Sequence, residues 1–355
     1  MNATNATPGG EYWLTAADRQ LLIKFGIFGV QGLLTFLANA TILLVVARQK
    51  RLRTRKEYIM VAGLAFADGL NGFGYLECAL YRIPKVLVGL HHQLVSQWHC
   101  ATTLQNLVWF FAEPLAAIAL SVVSLDRLIC VVFPLKYLNF SAAYAFRLHG
   151  VFYGAVLVYG LYALLYAYQS SREPYTSIIC ITMGAMGEQG LYTVHTSIIT
   201  GGGIFSVLLY LIVMVVHAGG SNSVRFKEGS RMQQKQLREQ RRATITIGIS
   251  SAFTFLFFVL PMGLTSVVSQ ITNDVSVMEA VNWSFALGNF NPMLNLLIYT
   301  LRHKDMKRGL LYTLKNQQLP LKDPKKVKPA PTPGKKGGQP KQPQQEGADD
   351  DDDDD

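Results

Sequence analysis

Seven apolar runs, near residues 25–47, 58–82, 101–133, 148–168, 191–216, 243–269 and 280–301, constrain this chain more than any other feature. Each is about 20 residues or longer, the length of helix that crosses a bilayer core. Half of all residues are hydrophobic, which a soluble domain would rarely show. The expectation is an all-α membrane protein, a seven-transmembrane helix bundle.

Charge orients the bundle, because Lys and Arg collect on the cytoplasmic side of short membrane loops. The first connection, RQKRLRTRKE, carries Arg48, Lys50, Arg51, Arg53, Arg55 and Lys56. The connection before the sixth run carries Arg225, Lys227, Arg231, Lys235, Arg238, Arg241 and Arg242, whereas residues 270–279 contain no basic residue. The Lys-rich tail puts the C-terminus inside, so an odd number of spans leaves the N-terminus outside. Asn2 and Asn5 agree, since both sit in glycosylation sequons, which are used only on the extracellular face. No signal-peptide pattern precedes the first span, which is expected to act as the insertion signal. The expected organisation is an extracellular segment 1–24, a bundle 25–301, a short amphipathic helix 302–314 and a disordered cytoplasmic tail 315–355. That tail is Lys, Pro, Gly and Gln without periodicity, ending in the acidic block Asp349 to Asp355. The net charge of +10 is mostly the inner-face bias, so it points to anionic lipid and cytosolic partners, not nucleic acid.

Topology also sorts the four cysteines. Cys100 and Cys180 both fall on the outer, oxidising side and are the natural disulfide pair. Cys78 and Cys130 lie within spans and read as small buried residues.

The polar residues inside the spans carry the chemistry. The third span closes with SLDRLICVVFPLKY, which sets Asp126 and Arg127 at its inner end and Pro134 just beyond. A charge there still asks for a partner. By residue type alone, a pair that neutralises itself while Arg127 reaches the headgroups is as good a reading as a functional latch. Asp68 is a lone carboxylate near the middle of the second span; it marks an ion or switching site, or else a protonated acid bonded to a neighbouring helix. Asn39, Asn291 and Asn295 lie at about the same depth and could donate to it. Glu113, beside Pro114, is a second mid-span acid. Pro261 frees a backbone carbonyl and gives the sixth span a hinge.

Taken along the whole bundle, these residues resemble the rhodopsin-like G-protein-coupled receptors. Asp126-Arg127-Leu128 is similar to the family's Asp-Arg-Tyr signature, followed by Pro134-Leu135-x-Tyr137. LANATILLVV carries the helix-one asparagine as Asn39, and LAFAD carries the helix-two aspartate as Asp68. Trp98 and Cys100 match the outer-loop pattern, FFVLPMG places Pro261 at the helix-six proline with Phe255 before it, and Asn295, Leu296 and Tyr299 match Asn-Pro-x-x-Tyr with leucine for proline. The resemblance implies a receptor that binds an extracellular ligand, sits in the plasma membrane and activates a heterotrimeric G protein through Arg127, which Tyr210 and Tyr299 would meet in the open state. It implies no catalytic activity and no cofactor beyond a sodium ion at Asp68, Asn39, Asn291 and Asn295, although Ala116 stands where the family has a serine ligand. Val259 replaces the helix-six tryptophan and Gly202 the helix-five proline. Arg241 replaces the acid that pairs with the arginine, so Asp126 alone is expected to restrain Arg127, and ligand-independent signalling follows. These departures look like nematode-type chemosensory receptors, with a neuropeptide receptor as the alternative within the class.

Trp109 occupies the position of the ammonium-binding aspartate of amine receptors, which disfavours an amine ligand. The pocket is expected to draw on Gln105, Trp109, Phe110, Glu113, His195, Thr196, Trp283 and Phe285. Retinal binding would need a lysine on the seventh span, and residues 280–301 contain none. A transporter would show repeats or broken helices in matching halves, and no nucleophile–base pairing or metal-ligand spacing suggests an enzyme.

Overall fold

The computed structural model describes residues 14–170, 173–220 and 290–320, with short pieces between 244 and 288. Asn2, Asn5, Arg241, Pro261, Phe285 and the tail beyond 320 lie outside the described residues, as does the side chain of Asn291. Among the described residues, five helices are long and apolar enough to cross a membrane: α1 (Ala16–Arg48), α3 (Lys56–Leu87), α5 (Leu104–Val132), α7 (Ala142–Gln169) and α9 (Tyr192–Gly220). Between them lie α2 (Lys50–Arg53), α4 (Gln97–Ala101), α6 (Pro134–Leu138) and α8 (Thr182–Met186). The inner part of the seventh run forms α10 (Phe290–Arg302), followed by α11 (Lys304–Leu314). Two short strands, β1 (Leu94–Val95) and β2 (Thr176–Ser177), pair antiparallel on the outer side.

Hydropathy and helix ends do not coincide. The first helix begins at Ala16, not at 25, because Thr15 and Asp18 form a capping box: Asp18 N–H donates to Thr15 Oγ1 at 3.2 Å and Thr15 N–H donates to Asp18 Oδ2 at 2.8 Å. Apolar residues mark where lipid begins, while the cap marks where the backbone ladder begins. The tail boundary moves as well. Gln49 is fully buried and donates to Thr313 Oγ1 at 2.9 Å and to the Gln317 carbonyl at 3.0 Å, while Leu319 N–H donates to Gln49 Oε1 at 2.7 Å. Asn316 ends α11 with a left-handed φ of 55° and turns the chain back onto α1. Residues 315–319, expected to begin a disordered tail, are therefore held in place. Asp305 anchors α11 to the first inner connection, accepting from Arg51 at 2.9 Å and Arg55 at 3.2 Å.

In lipid, packing and interhelical hydrogen bonds, not expulsion from water, hold helices together. The α1–α3 contact shows this at Gly32 and Gly72. A methyl carbon built on Gly32 would lie 2.7 Å from the Gly72 carbonyl oxygen, and one on Gly72 would lie 2.7 Å from the Phe36 nitrogen. Only hydrogen fits there, so the two backbones touch. The α5–α9 contact is laced by hydroxyls: Ser121 donates to the Gly202 carbonyl at 2.9 Å, and Ser124 and Ser206 share a 2.9 Å bond. α7 turns Ala145, His149, Val156, Gly160, Ala163 and Ala167 inward and leaves Val151, Leu157, Val158 and Leu165 exposed, an apolar outer face suited to lipid.

Candidate functional site

Among the described residues, three polar constellations lie along the bundle. At the inner end of α5, Asp126 and Arg127 are 0% and 1% exposed. Arg127 Nε donates to Asp126 Oδ2 at 3.0 Å and Nη2 bonds the same oxygen. Tyr137 completes a triangle, accepting from Arg127 Nη2 at 2.8 Å and donating to Asp126 Oδ1 at 3.1 Å. Proline at the first position of α6 starts the short helix that presents Tyr137. Lys56, at the start of α3, fixes that helix by donating to the carbonyls of Tyr137 and Phe140, its Nζ lying 3.8 Å from the Tyr137 ring centre. Burial pushes the Tyr137 phenol far above its ordinary value, so it keeps its proton and serves as donor. The pair is sealed beneath α6, and Asp126, expected to restrain Arg127 alone, shares that restraint with Tyr137.

At mid-bundle, Asn295 Nδ2 donates to Asp68 Oδ2 at 2.7 Å, joining α10 to α3. Asn39, expected to donate to the same carboxylate, instead donates to the Pro292 carbonyl at 3.0 Å and the Thr35 carbonyl at 2.9 Å. That bond ties α1 to the turn of helix that precedes Asn295. The side-chain oxygens of Asn39 and Asn295 are buried with no hydrogen-bond donor among the described residues.

Toward the outside, Glu113 Oε2 meets His195 Nε2 at 2.8 Å, and His195 Nδ1 meets the Tyr159 hydroxyl at 3.0 Å, so one polar chain links α5, α9 and α7. Trp109 is buried edge-on against Tyr75 at 5.2 Å, with the Arg82 guanidinium 5.6 Å from its ring. Cys100 and Cys180 are joined by a disulfide. The Cys180 carbonyl accepts from Arg82 Nη2 at 2.9 Å, Gln105 Nε2 at 3.1 Å and Asn106 Nδ2 at 3.1 Å, which pins the loop over this end of the bundle.

Residues 38–299 match the family described as 7 transmembrane receptor (rhodopsin family). The chain belongs to that family. It is a G-protein-coupled receptor: a multi-pass plasma-membrane protein that signals without catalysis, taking an extracellular ligand and coupling to a G protein. The receptor is 26% identical to olfactory receptor-like protein I9 of Rattus norvegicus, over 83% of this chain and 90% of that one. It is also 26% identical to human olfactory receptor 1D2, over 87% and 96% of the two chains, and 24% identical to human olfactory receptor 7D2, over 87% and 96%.

The receptor's geometry redistributes the expected pocket. Gln105 is spent on the Cys180 carbonyl, and Phe110 is fully buried in the cluster of Cys100, Ala163, Cys180 and Met186, so both support the outer wall. The Thr196 hydroxyl donates to the Tyr192 and Thr193 carbonyls of its own helix at 3.0 and 3.1 Å. Phe255, expected at the helix-six hinge, is 40% exposed, and Trp283 is 38% exposed. The Tyr210 hydroxyl bonds the Thr244 carbonyl of the sixth run, and Tyr299 packs with Ile42, Val45, Tyr58 and Met306. Sequence reasoning missed Tyr159, Arg82, Asn106 and Lys56. Lys56 was counted only as inner-face charge. Tyr137 was the legible one, since it stands in the Pro134-Leu135-x-Tyr137 segment.

Proposed function

We propose that this receptor serves chemosensation and detects a small, mainly apolar molecule carrying one hydrogen-bonding group. The carrying observation is the chain of Glu113, His195 and Tyr159: His195 is 1% exposed while the Glu113 side chain keeps 23% of its surface accessible. With Oε2 engaged by His195, the second carboxylate oxygen is available to a ligand hydroxyl. Trp109 at the amine-binding position argues against an ammonium ligand, and the olfactory names of the relatives support a chemosensory role. The buried Asp68 carboxylate and the side-chain oxygens of Asn39 and Asn295, which accept no hydrogen bond among the described residues, support sodium or water at mid-bundle. Anionic lipid at the inner face is supported by an open groove lined by Asn139, Ser141, Tyr144 and Arg147, and each basic residue near such a surface contributes about 1 kcal/mol.

Receptor-dependent nucleotide exchange in membranes, measured against a panel of small alcohols, aldehydes and ketones, tests the reading. For an active compound, Glu113→Gln is expected to raise the half-maximal concentration about tenfold or more, since a hydrogen bond to a charged group contributes roughly 1.5–3 kcal/mol. An unchanged response would remove Glu113 from the site. Activation by amines alone would overturn the ligand class.

A further inference from the structure

On the outer face, away from the Glu113–His195 chain, Asp18, His91 and His92 bring one carboxylate and two imidazoles together, with a donor atom from each within 4.8 Å of the others. Asp18 and His91 are 2% and 7% exposed, and His91 Nε2 lies 2.9 Å from Asp18 Oδ1. The imidazole centres of His91 and His92 are 3.9 Å apart. Gly89, at a left-handed φ of 72°, ends α3 and starts the single 3₁₀ turn Leu90–His92. Glycine adopts that conformation without penalty.

We infer that Asp18, His91 and His92 form a binding site for a divalent transition-metal ion of the zinc class. A His₂Asp set with a fourth position for water is the donor chemistry zinc takes, at bonds of about 2.0–2.2 Å. Two tetrahedral ligands at that distance stand about 3.3–3.5 Å apart when both bind one ion, so the pair, now 2.9 Å apart, needs to part by only a few tenths of an ångström to admit it. His92 is exposed, so its side chain is free to rotate the remaining distance inward. The carboxylate is already oriented, because Thr15 N–H and Oγ1 both donate to Asp18 Oδ2 at 2.8 Å, the kind of outer support that metal-ligating carboxylates receive. A bare staple between α1 and the first outer loop explains the Asp18–His91 contact, but it gives no role to the second imidazole turned onto the same spot.

The site has a mechanical connection to the ligand entrance. Ser177 Oγ donates to the His91 carbonyl at 2.6 Å, and Ser177 lies in β2, paired with β1 and three residues before the Cys180 disulfide. A bound ion would therefore tie the start of α1 to the loop over the bundle, and zinc would change ligand potency as an accessory effector. This inference does not rest on the ligand class proposed above.

The first test uses cobalt(II) as a coloured probe on purified full-length receptor in detergent, beside His92→Ala. His92 is exposed, so its removal leaves the Asp18–His91 contact and the fold in place. Wild type is expected to show the intense visible bands of tetrahedral cobalt, displaced by zinc but not by magnesium or calcium, and His92→Ala is expected to lose them and bind zinc at least about tenfold more weakly. The aspartate tail is an oxygen-only ligand set that favours octahedral, weakly coloured ions, and it is present in both proteins. Identical spectra and zinc affinities in the two would overturn the proposal and assign any binding elsewhere on the chain.

Discussion

Arg127→Ala is expected to abolish receptor-dependent nucleotide exchange at matched surface expression, while Asp126→Asn is expected to raise the ligand-independent rate. Both outcomes follow from the buried triangle of Arg127, Asp126 and Tyr137. In this structure the guanidinium is held by a charge-assisted bond and by the phenol of Tyr137, whose short helix Lys56 fixes, so it is not free to meet a cytosolic partner. Neutralising Asp126 exchanges an ion pair for a hydrogen bond in which only the guanidinium is charged, a loss of roughly 1.4 kcal/mol or more, and shifts the resting-to-open ratio about tenfold. Tyr137→Phe removes only the neutral partner and should give a smaller rise. Arg127→Ala leaves Asp126 buried without its cation, which costs about 3–5 kcal/mol when one partner of a buried pair is removed. The double variant Asp126→Asn/Arg127→Ala therefore accompanies it to separate lost coupling from lost folding. Exchange that persists in the well-expressed double variant would refute the role given to Arg127. Basal rates equal in wild type and Asp126→Asn would refute the restraint.

The second large effect is expected at the α1–α3 crossing. Gly72→Leu should eliminate folded receptor from the cell surface, and Gly72→Ala should cost about 1–3 kcal/mol, the range for overpacking a tight contact. Even the single methyl carbon of alanine would stand 2.7 Å from the Phe36 nitrogen and 2.9 Å from the Gly32 carbonyl oxygen. Both are backbone atoms, so relief requires the helices to part. Gly154→Ala is the matched control, because nothing lies within 4 Å of a carbon built there. Surface delivery and thermal unfolding in detergent give the readout. Equal behaviour of Gly72→Ala and Gly154→Ala would show that the close approach contributes nothing.

The architecture was legible because the bilayer imposes a length on every crossing segment and a charge bias on every short loop. Those rules act residue by residue along the chain, so the spans, their orientation and the outer location of Cys100 and Cys180 could be read without coordinates. The positions of Asp126, Arg127, Asp68 and Glu113 were legible for a related reason: an ionisable side chain inside an apolar run is costly and stands out. Their partners were not. Nothing in the sequence pairs Glu113 with His195 or brings Tyr159 onto the same histidine, since the three lie on separate helices.

Helix faces were equally hidden. Gln105, Trp109, Phe110 and Glu113 all read as candidates for one pocket, yet the rotation of α5 sends Gln105 and Phe110 against the disulfide wall and Glu113 toward α9. An apolar helix in lipid has apolar residues all round, so periodicity does not reveal which face turns inward. The sequence by itself determined the apolar spans, their orientation and the residue types that could carry a switch. Tertiary structure alone decided which hydrogen-bond partner each one has, that Tyr137 closes over Arg127, and that Asp18 meets His91 and His92, because those contacts join residues far apart in the chain through packing that no local pattern encodes.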